Sequence, residues 1–209
     1  MLGSNLLTRL GWSNPNGTSG SPESEAQSYY ENGLELKKRG CHSQALGQFK
    51  QAIGLEPNFA EAHLELGITH TKIGEWKAAV KAFSEALRIR PAFVEAYTEL
   101  GMAYDHAGNF LDALKTYLKA IQLKPGDIEL RNGLGMVYFN MGAYAEAIKA
   151  YKQAINLRPN DGRAYYGLGL VYIDLNDGKS LAEMHASLKE LGRQDLASQL
   201  SAKSNSELQ

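Results

Sequence analysis

A short segment near residue 178 contains residue types that bind phosphate or calcium in other proteins. Residues 178–180 read Gly-Lys-Ser, the end of a phosphate-binding loop, but that motif requires a glycine at position 173, where Ile173 stands. Asp174, Asn176 and Asp177 carry calcium-binding side chains, yet their alternation is displaced by one residue and no glutamate follows at the far end. The segment is therefore interpreted as a capped turn that leads into a helix.

Histidine and cysteine are the other candidates for metal binding or nucleophilic catalysis. His63 and His70 lie seven residues apart, two turns along one helix, but no Cys, Asp or Glu at a suitable spacing completes a metal site. Cys41 has no convincing histidine partner to activate its thiol. We therefore predict that both histidines line the core, and that the protein has no metal, cofactor or catalytic site and is not an enzyme.

The composition excludes several classes of partner. Lys and Arg number 22 and Asp and Glu 23, giving a net charge of -1 that offers no general attraction to nucleic acid or an anionic membrane. No segment has the length of a membrane span, and the N-terminus lacks the features of a secretory signal. The single cysteine suits a reducing compartment. A cytoplasmic location without an integral membrane segment is predicted.

The sequence repeats itself every 34 residues. Five classes of residue share this step: helix glycines, turn glycines, two sets of alanines, and prolines. They are Gly33, Gly67, Gly101, Gly135 and Gly169; Gly40, Gly74, Gly108 and Gly142; Ala45, Ala79, Ala113 and Ala147; Ala52, Ala86, Ala120 and Ala154; and Pro57, Pro91, Pro125 and Pro159. A fixed period of this length indicates an array of similar structural units.

Each unit has the pattern of a helical hairpin. Tyr97, Leu100, Gly101 and Tyr104 lie on one face of a helix, at spacings of three and four residues. Gly108 can adopt the left-handed conformation that ends this helix and turns the chain into a second one. The proline that follows the second helix ends the unit, since it cannot donate a backbone hydrogen bond. Stacked hairpins supply the core that a single hairpin lacks.

These residues resemble the tetratricopeptide repeat family, in particular its bacterial-type scaffolds, whose pattern is W-x-x-L-G-x-x-Y, then A-x-x-x-F, then Ala and Pro. The resemblance covers residues 26 to 175. It implies an all-α fold, a right-handed α-solenoid of antiparallel helix hairpins. The expected organisation is a flexible tail at 1–23; an array at 24–192 with repeats at about 26–59, 60–93, 94–127, 128–161 and a degenerate 162–192; a capping helix at 193–203; and a tail at 204–209.

The two ends depart from the repeat. The N-terminal tail contains apolar side chains that suit docking in a groove or on a membrane, namely Leu2, Leu6, Leu7, Leu10 and Trp12. In the fifth repeat, Ser180 and Glu183 have the spacing of a capping box, which predicts a helix that opens at Ser180. Leu196, Ala197 and Leu200 give the last segment an apolar side, as expected of a helix that closes the array.

The resemblance also implies a peptide-binding groove, lined by repeat positions 2, 5, 6, 9 and 12 of the first helices. Position 9 forms an apolar stripe, and positions 2 and 6 form a row of carboxylates with Arg163 as the exception. The predicted groove residues are Tyr30, Leu34, Glu61, Leu64, Glu65, Ile68, Glu95, Thr98, Glu99, Met102, Asp105, Glu129, Asn132, Met136, Phe139, Tyr166, Leu170 and Ile173.

A groove of this composition predicts a protein or peptide partner with apolar anchors and basic flanks. Co-chaperone members of the family bind a terminal carboxylate through Lys, Arg and Asn, but Tyr30, Leu34, Glu65, Glu95 and Glu99 occupy those places here. The predicted function is therefore an interaction scaffold or assembly adapter other than a carboxylate clamp. The alternative is a self-assembling structural scaffold, a homo-oligomer in which the N-terminal tail docks in the groove of a neighbour.

Overall fold

The computed structural model describes residues 21–207, and these form eleven α-helices and no β-strand. The helices are α1 Pro22–Lys38, α2 His42–Leu55, α3 Ala60–Lys72, α4 Trp76–Ile89, α5 Val94–His106, α6 Phe110–Leu123, α7 Ile128–Asn140, α8 Tyr144–Leu157, α9 Gly162–Asp174, α10 Gly178–Glu190 and α11 Gln194–Glu207. The apolar side chains of the predicted tail, Leu2 to Trp12, lie outside the described residues. Of the predicted tail 1–23, the structure describes residues 21–23, and α1 begins there at Pro22.

Successive helices pair as hairpins, and each hairpin packs on the next. The odd-numbered helices α1 to α9 also contact one another in order, so they form one continuous face of the stack. Inside each of the first four hairpins a glycine of the first helix lies against an aromatic ring of the second. A Cβ atom on Gly67 would lie 2.4 Å from a ring atom of Phe83, so only glycine allows this approach. The all-α solenoid predicted from the 34-residue period is confirmed.

The turns inside the hairpins depend on a residue with a positive φ angle. Gly74 has φ +78° and Gly108 has φ +76°, a conformation that side chains with a Cβ atom rarely adopt. In the fifth hairpin the same position holds Asn176, with φ 53°. Asparagine tolerates the left-handed region better than most residues, so the hairpin is preserved although the glycine is lost.

The start of α10 corrects one expectation. The helix begins at Gly178 with Asp177 as its N-cap, whose side chain accepts hydrogen bonds from the Ser180 backbone N–H at 3.1 Å and the Ser180 hydroxyl at 2.6 Å. The predicted capping box of Ser180 and Glu183 is wrong, since a carboxylate three residues earlier already caps the first turn. Residues 178–180 therefore lie in a helix and not in a phosphate-binding loop.

The last helix, α11, packs against both α9 and α10. Leu200 lies over Gly169, where the earlier hairpins place an aromatic ring of their own second helix. The corresponding residue of α10 is His185, which instead meets the Ser201 hydroxyl at 3.0 Å. α11 thus covers the end of the array as expected, although it extends to Glu207 and includes residues that the sequence assigned to a tail.

The two histidines of α3 belong to the interior, as predicted. His63 and His70 are 8% and 7% exposed. His63 Nε2 lies 3.0 Å from the Pro57 carbonyl oxygen, and His70 Nδ1 lies 2.6 Å from a Glu75 carboxylate oxygen. Within residues 21–207 no group of three or more His, Cys, Asp or Glu side chains is placed to hold a metal ion. None of the described helices is long and apolar enough to cross a membrane.

Candidate functional site

A pocket of about 740 Å³ opens on the face formed by the odd-numbered helices, between α5, α7 and α9. We call it the anchor pocket. Its lining comprises eight of the predicted groove residues and nine residues outside that prediction. They are Thr98, Glu99, Met102, Asp105, Glu129, Asn132, Met136 and Tyr166 from the prediction, and His106, Phe110, Tyr117, Gly133, Asn140, Tyr151, Arg163, Gly167 and Leu196.

Two tyrosine rings and two glycines form the floor of the anchor pocket. A Cβ atom on Gly133 would lie 2.4 Å from the Tyr117 ring, and one on Gly167 would lie 2.4 Å from the Tyr151 ring. On its other side the Tyr117 ring packs equally closely against Gly101. Because neither Gly133 nor Gly167 has a side chain, each ring extends between two helices and its hydroxyl end reaches the pocket.

The walls of the anchor pocket are apolar and accessible. Met102 and Met136 are 40% and 41% exposed, so both are accessible from the pocket. Tyr166 of α9 and Leu196 of α11 close the C-terminal side. Methionine has three rotatable bonds and adapts its shape to different partners, so these walls suit a variable apolar side chain.

Polar groups of the anchor pocket are held in a defined arrangement at its floor. The Asn140 amide donates to both carboxylate oxygens of Asp105, at 2.9 and 3.0 Å. Burial raises the pKa of both Tyr117 and Tyr151, and the negative charge of Asp105 contributes to each shift. Both phenols therefore stay protonated at neutral pH, as neutral groups that can donate or accept a hydrogen bond.

The N-terminal half of the face, formed by α1 and α3, is built differently. Glu65 stands at the repeat position of Gly133, and the repeat position of Tyr117 holds Phe49, which has no hydroxyl. Glu65 is paired with Lys37 of α1. Tyr30 packs against Phe59 with 4.9 Å between ring centroids, and burial together with Glu65 raises the pKa of Tyr30 to about 12.

Several carboxylates of the predicted row are already paired with basic side chains of this chain. Glu65 pairs with Lys37, Glu61 pairs with Arg90, and one Glu129 oxygen lies 3.4 Å from Arg163. By contrast, within residues 21–207 neither Glu95 nor Glu99 has an ion-pair or hydrogen-bonding partner. Burial raises the pKa of Glu99, and the negative charges of Glu95 and Glu65 add to that shift. Among these five carboxylates, the two without an ion-pair partner in the described part of the chain therefore both lie on α5.

Two predicted groove residues belong to the core instead. Leu64 is 4% exposed and packs with the Phe83 cluster, so the prediction that it lines a groove is wrong. Ile173 is 8% exposed and packs with Leu188 and Leu200, because α11 covers this end of α9.

The remaining predicted residues range from exposed to partly buried. Of the position-9 stripe, Met102 and Met136 are exposed, whereas Leu34, Ile68 and Leu170 are partly buried. Ile68 packs against the Phe83 cluster and Leu170 against the α11 cluster. Phe139 is partly buried beside Tyr144, with 6.1 Å between ring centroids. The apolar stripe therefore continues along the face but is accessible mainly in its centre.

Sequence reasoning missed the floor of the anchor pocket. Tyr117 and Tyr151 occupy positions that pack inside each hairpin, and nothing in their spacing marks them as lining residues. One signal was available, since glycine replaces the expected glutamate at 133 and 167. His106 was also missed; its ring stacks on Trp76 with 4.5 Å between centroids.

A stack of helical hairpins with an open, lined face defines the class of the protein, an α-solenoid interaction module. Family models described as "Tetratricopeptide repeat" match residues 30–92 and 70–128, and one described as "TPR repeat" matches residues 135–176. Together they match more than half of the chain. The chain belongs to the tetratricopeptide repeat family.

Solved structures support the same architecture. MamA from Desulfovibrio magneticus RS-1 is 24% identical with a TM-score of 0.74, over 85% of this chain and 98% of that one. Another MamA structure is 28% identical with a TM-score of 0.65, over 82% of this chain and 96% of that one. YrrB, described as a TPR protein with an unusual peptide-binding site, is 24% identical with a TM-score of 0.65, over 84% and 90%. A search of curated proteins found no match.

Proposed function

We propose that this protein is an interaction scaffold that captures a segment of a partner protein on the face formed by its odd-numbered helices. The observation that carries the proposal is the anchor pocket, whose methionine walls are accessible although the hairpins do not need them for packing. Met102 and Met136 are 40% and 41% exposed, while Tyr117 beneath them is 2% exposed. Accessible apolar side chains gathered in a concavity are typical of a binding surface.

The solenoid supports capture of a segment because the face exists before the partner arrives. Each of the first four hairpins is fixed by its own glycine-to-aromatic contact and by its neighbours, so binding does not have to order the groove. A partner that binds by its apolar side chains also fits the family, whose fold in YrrB accompanies a described peptide-binding site. The free thiol of Cys41 suits a cytoplasmic location, which forms part of the proposal.

The test uses full-length protein with paired substitutions. Met102→Glu with Met136→Glu places two charges on the walls of the anchor pocket and is expected to reduce partner capture from native lysate at least about tenfold, a loss of roughly 1.4 kcal/mol. The melting temperature should change little, because both side chains are already partly solvated.

The matched control is Leu111→Glu with Leu118→Glu on α6. These leucines are 64% and 42% exposed but lie outside the anchor pocket. The control should capture the partner as well as the natural protein does. Equal capture by the methionine variant, or an equal loss in both variants, would remove the support for a binding site on this face.

The self-assembly alternative depends on residues 1–20, which lie outside the described residues. It stays a prediction from the sequence, as does the homo-oligomer that it implies.

A further inference from the structure

The anchor pocket contains polar groups that lack hydrogen-bonding partners. The side-chain nitrogen and oxygen of Asn132 are both buried from water and neither has a partner. Within the part of the chain that the structure describes, the hydroxyl groups of Tyr117 and Tyr151 also make no hydrogen bond. A buried amide without partners destabilises the protein. The missing donor and acceptor are supplied when the Asn132 side chain turns toward a ligand that carries them.

The chemistry of Asn132 specifies what kind of ligand would satisfy it. A side-chain amide offers one acceptor and a donor side by side, which matches the N–H and C=O of a peptide group. The equivalent position in the preceding repeat holds Thr98, whose hydroxyl is already satisfied by the Val94 carbonyl at 3.1 Å. An unsatisfied amide is therefore a feature of the pocket itself and not of the repeat.

Charge identifies a second element of the ligand. Glu99 of α5 lines the anchor pocket, and Glu95 lies one helical turn before it on the same helix. Within residues 21–207 both lack an ion-pair partner, whereas Glu61 and Glu65 on α3 are each paired with a basic residue. Burial and then the charge of Glu95 raise the pKa of Glu99, while Lys72 and Lys37 oppose part of that shift. A cation placed here would relieve that repulsion.

We infer that the partner segment is an extended peptide with one large apolar side chain in the anchor pocket, a peptide group bonded to Asn132, and a Lys or Arg bound by Glu95 and Glu99. This inference rests on the proposed function and names the chemistry of its ligand. The pocket volume of about 740 Å³ accommodates an aromatic or long aliphatic side chain together with adjoining backbone. The carboxylates of Glu95 and Glu99 disfavour an acidic segment here.

Helix spacing gives an approximate sequence pattern. Neighbouring packed helices lie roughly 8–10 Å apart, and an extended chain advances about 3.3 Å per residue. The pocket centre lies one helix beyond the carboxylates of α5. The apolar residue and the basic residue of the ligand are therefore expected about three positions apart.

The experiment selects peptides from a random 12-residue library displayed on phage, with the full-length protein as target. Selected peptides are synthesised, and their affinity is measured for the natural protein and for the Met102→Glu, Met136→Glu double variant. Peptides that lose binding to the double variant occupy the anchor pocket. We expect them to be enriched in a large apolar residue and a Lys or Arg about three positions away.

Two further variants separate the contacts. Asn132→Leu has a similar shape but no polar atoms, so it should weaken peptide binding about tenfold while the melting temperature stays equal or rises. If Asn132 had a purely structural role, its substitution would not weaken peptide binding while leaving the melting temperature unchanged. Glu99→Gln should weaken binding severalfold, and the effect should vanish for a peptide in which the basic residue is replaced by Gln, as a double-mutant cycle requires.

The outcomes are distinguishable. Pocket-binding peptides that lack a basic residue, or that bind the Asn132→Leu variant as tightly as the natural protein, would overturn this inference and leave the proposed function standing. A library that yields no binder, or only binders indifferent to the methionine substitutions, would overturn the proposed function and the inference with it.

Discussion

The two halves of the binding face use one repeat position in opposite ways. On α3 and α5, position 6 holds Glu65 and Glu99, and the aromatic residue at the matching position of the preceding hairpin is a phenylalanine, Phe49 or Phe83. In the C-terminal half the same position holds a glycine, and the ring is a tyrosine whose hydroxyl end reaches the face. Glycine thus makes space for a larger ring, whereas phenylalanine leaves space for a glutamate.

This comparison shows how a repeat array gains a directional binding surface without changing its backbone. The first four hairpins keep the glycine-to-aromatic contact that holds them together, so the variation at position 6 leaves the fold intact. The carboxylates and the anchor pocket then lie side by side along the face. A partner segment with different chemistry at its two ends would bind in one orientation only.

The largest effect is expected from filling the glycine of the C-terminal half. Gly133→Ala places a Cβ atom 2.4 Å from the Tyr117 ring, which is already held on its far side by Gly101. Overpacking of this kind typically costs about 1–3 kcal/mol. We expect the free energy of unfolding, measured by urea denaturation, to fall by that amount.

The matched control for this variant is Gly47→Ala in α2. Nothing lies within 4 Å of a Cβ atom at Gly47, so the substitution should follow helix propensity and stabilise the protein by roughly 0.5–1 kcal/mol. If both alanines raised the stability, the Tyr117 ring would be free to move and the description of the pocket floor would be wrong.

A substitution of Glu99 on α5 is expected to raise the stability, by less than Gly133→Ala lowers it. The pKa of Glu99 is raised above its ordinary value of 4.5, mainly by burial and then by Glu95. The folded protein therefore binds this proton more tightly than the unfolded chain does, and the charged carboxylate opposes folding at neutral pH. Glu99→Gln should raise the melting temperature at pH 7, by on the order of 1 °C.

The pH dependence supplies the check on that variant. The advantage of Glu99→Gln should disappear as the pH falls below the raised pKa of Glu99, where the natural residue is itself protonated. Glu85→Gln is the contrasting variant, because Arg88 lowers the pKa of Glu85 through a 2.8 Å hydrogen bond. That substitution should not raise the melting temperature. A Glu99→Gln advantage that persisted at low pH would mean that its charge is not the cause.

Much of the fold was predictable because the 34-residue period constrains it so heavily. Gly108 and the proline after each hairpin fix where helices end, and the apolar spacing around Leu100 fixes which face is buried. The start of α10 was less predictable, since Ser180 and Asp177 both offer capping oxygens and only the structure shows which one is used.

The candidate site was predictable only in part. Met102 and Met136, which the repeat positions predicted as groove residues, are exposed and line the anchor pocket. The repeat positions failed for Leu64 and Ile173, because a side chain at the edge of a helix turns inward when a neighbouring hairpin or a capping helix lies over it. The pairing of Lys37 with Glu65 also escaped prediction, since it depends on how adjacent hairpins are rotated.

The most direct test of the account is a methyl NMR titration of the full-length protein with a peptide selected from the library. Of the methionines in the described residues, Met102 and Met136 line the anchor pocket, Met141 is exposed elsewhere, and Met184 packs near α11. We expect the methyl signals of Met102 and Met136 to shift together while those of Met141 and Met184 stay in place. Shifts confined to Met141 or Met184 would contradict a binding site between α5, α7 and α9.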